Sequence, residues 1–447
     1  MLKQMSRYVC LVWLMLSGGV LWGHASLQGF TVDSTGSSEV FSTVSSTSTS
    51  DAYGHTTWAV TPNTALLSSS PATVPLNFPD RASVTLTRMR FQQRDSNGFL
   101  WTGRGGDCSA MFSKASTGFR GVISCLNAPY GVETAADGSV QLTRTPAASS
   151  ASPWEPVPPA EPQILPPQSG GMAPTQTDTT VEILVLYNTA VRTALGGTAA
   201  TIQFARDAVS SAQMAMDVSV PTGQPPLAEL SFVGAAEVTR SDDGDIPGAL
   251  QYMTVNSEPM GDRNFWSADW IVYLVATTGG SYLAVSNEPG YNNSFPLPPY
   301  FAPYAESVVL YNRAINDTSG SNDHEPFCFA HELGHIFGMN HDNSGTDNSN
   351  TTPLTSYSFG HWAPANGGGT RTVMSYLAPG CTAPCPRIIN YSNPNVWVPP
   401  DDHSGFQTGN TNAYNAQMVT NYVSNVMGYM PSLGRIFVNG FEQYNQQ

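Results

Sequence analysis

Hydrophobic and polar positions alternate differently in successive parts of the chain. Between about residues 76 and 145, short alternating runs such as "ASVTLTRMRF" and "GVISCL" are punctuated by Gly and Asn, and predict a small all-β unit. The Ser- and Thr-rich residues 31–75 ahead of it predict little order at their start. Beyond residue 179 the pattern changes. "VEILVLYN" (181–188) is a continuous apolar run rich in β-branched residues, as expected of a strand covered on both faces. "TIQFARDAVSSAQMAMDVS" follows, with Ile202, Ala205, Val209, Ala212 and Met216 at helical spacing. "AELSFVGAAEV" (228–238), "WIVYLVAT" (270–277) and "ESVVLYN" (306–312) predict further strands. Helices laid on a largely buried sheet make an α/β domain.

The segments between these patterns set the boundaries. Lys3 and Arg7 precede an apolar run from about Tyr8 to Trp22, and Gly23-His24-Ala25 has the small-x-small spacing of a signal-peptidase site. The run is shorter than the roughly 20 residues a membrane span needs, so residues 1–25 read as a cleaved signal peptide. No other stretch predicts a membrane anchor, and the protein is expected to be secreted. Residues 26–145 then form the N-terminal, mostly β unit. Residues 146–178 are too rich in proline to build a core and read as an extended linker. Residues 179–432 form the α/β domain, and 433–447 a tail.

Composition narrows the partners. Only 11% of the 447 residues are charged, and Lys+Arg 18 against Asp+Glu 33 gives a formal net charge of -15. A field of that sign repels phosphate backbones and anionic lipid, which argues against nucleic acid or a membrane surface and does not exclude cations. Export changes the reading of the cysteines, because an oxidising compartment favours pairing. Cys10 leaves with the signal peptide; Cys108 and Cys125 stand apart from Cys328, Cys381 and Cys385 and are expected to bond to each other. The pairing among the last three stays open.

The chemistry concentrates in "FCFAHELGHIFGMNHD" (327–342), which holds three of the chain's 8 histidines. His331 and His335 are four apart, so on a helix both rings project from one face toward one ion. Glu332 lies beside the first ligand, where it can reach a water on that ion. Gly338 can adopt the left-handed conformation that ends a helix and turns the chain, bringing His341 back as a third ligand. Three imidazoles leave one tetrahedral zinc position open, the catalytic arrangement. Zinc lowers the pKa of its water to about 7, so Glu332 can take the proton near neutrality.

The longer pattern "HELGHIFGMNHD" resembles the metzincin zinc endopeptidases, and Asp342 directly after the third histidine resembles their reprolysin (adamalysin) branch, nearest to bacterial secreted forms. "RTVMSY" (371–376) is similar to the methionine turn under the zinc in that family, with Met374 as its floor. The resemblance covers roughly 179–430. It implies a metzincin catalytic domain with a mixed twisted sheet, an active-site helix and a Met-turn, preceded by a small β prodomain. It also implies one zinc on His331, His335 and His341, Glu332 as general base, and Asp342 as a structural acid. Met374-Ser375-Tyr376 is closer to the serralysin and astacin turn, which makes Tyr376 a candidate to polarise the scissile carbonyl; packing is the alternative.

Together these readings predict a secreted zinc metalloendopeptidase, made as a zymogen, that acts as a monomer on protein or peptide substrates. The competing reading, a non-catalytic binding or adhesin-like module on the same scaffold, is disfavoured by the presence of Glu332. "GGSYLAV" (279–285) is the expected edge strand for an extended substrate, with a hydrophobic residue after the scissile bond. Latency has several candidate sources: Cys108 as a zinc thiolate, Asp107 as a carboxylate ligand, or the linker as a steric block, with Cys108 held in a disulfide as the alternative to the first. "DNSGTDNSN" (342–350) lacks the spacing of an EF-hand loop, so calcium has no support.

Overall fold

The structure is a computed structural model. It describes residues 37–146, 180–242, 244–277, 282–289, 300–318, 325–342, 353–365, 368–376, 385–399 and 405–430. The expected signal peptide, most of the linker, Cys381, His324, His403, most of the Asp and Asn cluster and the C-terminal tail lie outside the described residues.

The N-terminal part is larger and more ordered than the alternation predicted. A nine-stranded antiparallel sheet contains β1 (Phe41–Ser50), β2 (Thr56–Pro62), β3 (Thr73–Leu76), β4 (Val84–Gln93), β5 (Phe99–Gly105), β6 (Cys108–Ala115), β7 (Gly118–Cys125), β8 (Pro129–Thr134) and β9 (Val140–Arg144), with the short helix α1 (Thr64–Ser68) between β2 and β3. The Ser- and Thr-rich stretch expected to be loose supplies β1, an edge strand paired with β2. Its polar side chains are compatible with a strand whose outer positions meet water, because hydroxyls on a pleated edge need no buried partner.

The central strands bury both faces. Trp101, Phe112 and Ile123 belong to the sheet's own core, whereas Leu100, Met111 and Val122 belong to the larger core of the second part. Alternation along each strand assigns these to opposite faces. Cys108 and Cys125 are cross-strand partners and form a disulfide, as expected from their isolation. Asp107 pairs with Arg81 at 2.5 Å. Neither Cys108 nor Asp107 joins the histidine cluster.

The second part follows the sequence pattern closely. Strands β10 (Thr180–Tyr187), β11 (Glu229–Glu237), β12 (Trp270–Val275), β13 (Ala284–Ser286) and β14 (Glu306–Leu310) form one sheet in the order β11-β10-β12-β14-β13. All neighbours are parallel except β13, which runs antiparallel to β14 and closes the order as an edge strand. Of the edge expected at 279–285, residues 279–281 lie outside the described residues, and Ala284–Ser286 form the edge strand. Helices α2 (Thr189–Ala194), α3 (Thr198–Val218), α4 (Ile246–Val255), α5 (Ser257–Trp266), α6 (Tyr311–Ala314), α7 (Cys328–Ile336) and α8 (Asn415–Val426) complete the mixed α/β architecture.

Helix α3 is enclosed on every side over Asp207–Val218. It touches β6 of the N-terminal sheet, β11 of the second sheet, and α7. A helix surrounded this way must have partners for its polar residues, and Asp207, Ser210, Gln213 and Asp217 each have them. No helix among the described residues is long and apolar enough to cross a membrane.

The disulfide ties two neighbouring strands in the middle of the N-terminal sheet. Cys108→Ser and Cys125→Ser are expected to destabilise that sheet equally, by about 2–4 kcal/mol. Denaturant unfolding of the two variants, with and without reductant, checks this; unequal losses would point to a separate role for one sulfur.

Candidate active site

The site is assembled from α7 and the chain on either side of it. α7 starts at Cys328, after Phe327 in a left-handed conformation (φ 67°), and ends at Ile336. Gly338 then takes φ 75°. That is the left-handed turn expected of it, and its N–H closes on the His335 carbonyl at 2.8 Å. The next residues, Asn340–Asp342, form the short strand β15, paired with Phe359–Gly360. His341 is thereby returned to the face that carries His331 and His335.

The three rings converge. Their Nε2 atoms are 3.1 Å (His331–His341), 3.2 Å (His331–His335) and 3.1 Å (His335–His341) apart, and all three residues are buried. His331 Nδ1 donates to the Val373 carbonyl at 2.8 Å, and His335 Nδ1 donates to the Met339 carbonyl at 2.9 Å. A neutral imidazole has one N–H, so both of these rings present an Nε2 lone pair to the common centre. Burial, followed by the neighbouring His335, holds the His331 pKa well below the usual histidine range, so its charged form offers no relief. Lone pairs facing each other at this distance repel unless a cation lies between them. Nitrogens on a tetrahedral zinc with bonds of about 2.0–2.1 Å lie roughly 3.3 Å apart, so the donor set fits that ion.

Glu332, next to His331 on the helix, is held by the edge strand. Its carboxylate accepts from Ser286 Oγ at 2.6 Å, and Ser286 in turn contacts Ser307 Oγ at 2.6 Å, which accepts from Trp270 Nε1 at 2.9 Å. Burial pushes the Glu332 carboxyl up to about 8, while the Ser286 hydrogen bond and Arg387 act in the other direction. Ser286 was not legible in the sequence. Only the sheet order places β13 beside α7.

The floor comes from the segment around Met374. A Cβ on Gly334 would overlap the Met374 sulfur, so glycine at this helix position lets the methionine pack against the helix. Asp342 Oδ2 accepts from Ser375 Oγ at 2.9 Å and from the Tyr376 N–H at 2.8 Å, the within-subdomain bonding that the resemblance implied. The Tyr376 ring lies 4.0 Å from that of His341, centroid to centroid. Behind them, Arg371 grips Glu325 through two bonds (3.0 and 2.9 Å), and Arg387 reaches the same carboxylate at 2.9 Å; all three are buried. This pair of guanidiniums clamps the chain entering α7 to the chain around Met374. Cys328 is a buried free thiol, and Cys385 is disulfide-bonded. His361 stacks on Phe406 at 5.7 Å and takes no part in the cluster.

Residues 177–391 match the Reprolysin_5 family model, metallo-peptidase family M12. This part of the chain is similar to the reprolysin-type metallopeptidases. A peptidyl-Asp metalloendopeptidase of Stenotrophomonas maltophilia (strain K279a) is 40% identical over 96 residues, 21% of this chain and 20% of that protein. One from Xanthomonas campestris pv. campestris is 26% identical over 286 residues, 61% of this chain and 58% of that one. The chain thus spans a fifth to three fifths of the length of these relatives. Metalloproteinase-II from Bacteroides fragilis shows a slighter structural likeness, with TM-score 0.35 and 11% identity over 66% of this chain and 92% of that one. The matched span follows the last strand of the N-terminal sheet and contains every residue of the three-histidine site.

The glycine beneath the rings gives a sharp test. Gly334→Ala should cost about 1–3 kcal/mol of stability and weaken metal binding, because Met374 must leave its place. Thermal unfolding with and without added zinc measures both effects; an unchanged melting temperature would show that the methionine has room to move.

Proposed function

We propose that the chain is a secreted zinc metalloendopeptidase, made as a zymogen, that hydrolyses internal bonds of protein substrates. The observation that carries this reading is the meeting of three buried imidazoles at 3.1–3.2 Å with Glu332 beside them on the same helix. The M12 match to residues 177–391 supports it. So does the name of the relatives, peptidyl-Asp metalloendopeptidase, which directs the substrate search to bonds next to aspartate in place of the hydrophobic preference expected from the sequence.

In this reading His331, His335 and His341 hold the zinc through Nε2, and the Val373 and Met339 carbonyls fix two of the rings in the tautomer required for ligation. The ion, when bound, supplies a Lewis acid that acidifies water and polarises a carbonyl. Glu332 takes the proton from the attacking water and carries it toward the leaving amine. Ser286 orients the Glu332 carboxylate and favours its charged form against the effect of burial. The open edge of β13 pairs with an extended substrate backbone, which positions the scissile bond over the rings. Met374 forms the floor as a Met-turn. Tyr376, held over His341 by the hydrogen bond from its own N–H to Asp342, is the candidate to stabilise charge on the scissile carbonyl oxygen.

Removing the base separates binding from catalysis. Glu332→Gln should retain one zinc per chain by elemental analysis and lose roughly 10²–10⁴-fold in kcat/KM on a protein substrate. Full activity in that variant would sink the mechanism. Cleavage-site mapping on a denatured protein mixture should give internal cuts clustered at aspartate; trimming confined to chain ends would contradict an endopeptidase.

The acid side of the pH profile tests Ser286. A general base works only when deprotonated, so activity falls as pH drops through the Glu332 pKa. The Ser286 hydrogen bond favours the charged form. Ser286→Ala should therefore move the acid limb of kcat/KM to higher pH. A limb that stays in place, or moves down, would show that Ser286 does not tune the base.

A further inference from the structure

The contact between the N-terminal sheet and the metallopeptidase domain has a consistent electrical sense. Residues 37–146 carry 8 Lys and Arg against 7 Asp and Glu, whereas residues 180–430 carry 7 against 21. Almost all of the chain's net negative charge therefore sits in the second part. Five ion pairs cross between the two parts among the described residues, and in each one the base belongs to the sheet and the acid to the domain.

Two arginines dominate. Arg90 on β4 grips two carboxylates at once: Asp217 at the end of α3 through Nε and Nη2 (2.6 and 2.8 Å), and Glu229 on β11 through Nη1 and Nη2 (2.8 and 2.9 Å). Arg94, just past β4, bonds Asp207 at 2.7 Å and Ser210 Oγ at 2.7 Å. Arg104 donates to the Val220 carbonyl at 3.0 Å, and Arg120 lies over the Phe204 ring. The fully buried apolar contribution from the sheet to the domain's core is Leu100, Met111 and Val122, with Met89 partly buried against it. The side of α3 that the arginines address carries Phe204 and three acceptors for the sheet, Asp207, Ser210 and Asp217. Such a helix side is compatible with water if the sheet departs. Charge-matched, mostly polar contacts of this kind characterise partners that separate, in contrast to a shared apolar core.

We propose that the N-terminal sheet is held on α3 mainly by this comb of arginines, so that once the connection between residues 146 and 180 is cut, the sheet is a separate, salt-sensitive ligand of the domain. Its departure uncovers an acidic face built from Asp207, Asp217 and Glu229. The sheet itself is the occupant to which that face is matched. No residue of the described sheet joins the three-histidine cluster, so the interface on α3 is separate from that site. The inference concerns assembly and stands whether or not the histidine site proves to be a peptidase.

The test uses the full chain with a specific protease site inserted between residues 146 and 180. After cleavage the two pieces should migrate together on gel filtration at about 0.05 M salt. They should separate at about 1 M salt, where screening is much stronger. In sedimentation titrations the Kd should rise at least about tenfold across that range. Arg90→Gln combined with Arg94→Gln should release the sheet at low salt. Asp217→Asn combined with Glu229→Gln should do the same from the other side, and serves if the arginine variant fails to fold. The proposal is overturned if the wild-type pieces part at low salt, or if either salt or the substitutions leave them bound as tightly as before. The latter result would assign the contact to Leu100, Met111 and Val122.

Discussion

Imidazole nitrogens that face one another across about 3 Å, deep in a protein, are the constraint around which this structure is arranged. Two of the three rings have their Nδ1 protons committed to backbone carbonyls, so they cannot satisfy each other. The arrangement is unfavourable on its own and becomes favourable only with a cation at the centre. The fold must therefore hold the rings in place before the ion arrives. It does so with backbone, through Val373 and Met339, and with a glycine that admits the Met374 sulfur beneath the helix.

The surrounding polar groups serve the same end by different means. The Glu325 carboxylate shared by Arg371 and Arg387 fastens the chain before α7 to the chain around Met374. Breaking one member would leave a buried charge without compensation, which is far more costly than the net gain from the intact group. Asp342 ties the segment after the third histidine to Ser375 and Tyr376. The two clamps close the loop of chain from both ends, so the positions of the rings depend on segments some 30 to 60 residues away in sequence. The Ser286–Glu332 bond adds a third connection, from the edge of the sheet to the helix.

Helix α3 links this site to the N-terminal sheet. One side of the helix packs in the metallopeptidase core with α7, and another meets the arginines of the sheet. The disulfide takes Cys108 out of consideration as a zinc ligand, and the Arg81 pair occupies Asp107. The ion pairs of the N-terminal sheet thus lie apart from the three-histidine cluster and set bases on the sheet against acids on the domain.

Much of this was legible in the chain because it depends on short spacings. The apolar runs at 181–188, 270–277 and 306–312 became buried strands, since a strand covered on both faces has no polar alternative. The helical repeat of Ile202, Ala205, Val209, Ala212 and Met216 became α3. His331, His335 and the turn at Gly338 are local geometry, and they sufficed to bring in His341. What the sequence could not disclose depended on distant pairing. Residues 41–50, read as loose from their Ser and Thr content, found a strand partner in β2. Ser286 reached Glu332 only because the last strand of the sheet turned antiparallel and lay beside α7. Arg90 and Arg94 carry no local signal of their role, because the carboxylates they bind on α3 lie more than a hundred residues later in the chain. Local spacing determines which residues can share a face; only the tertiary structure decides which faces meet, because that choice is made by the whole core and not by neighbours in the chain.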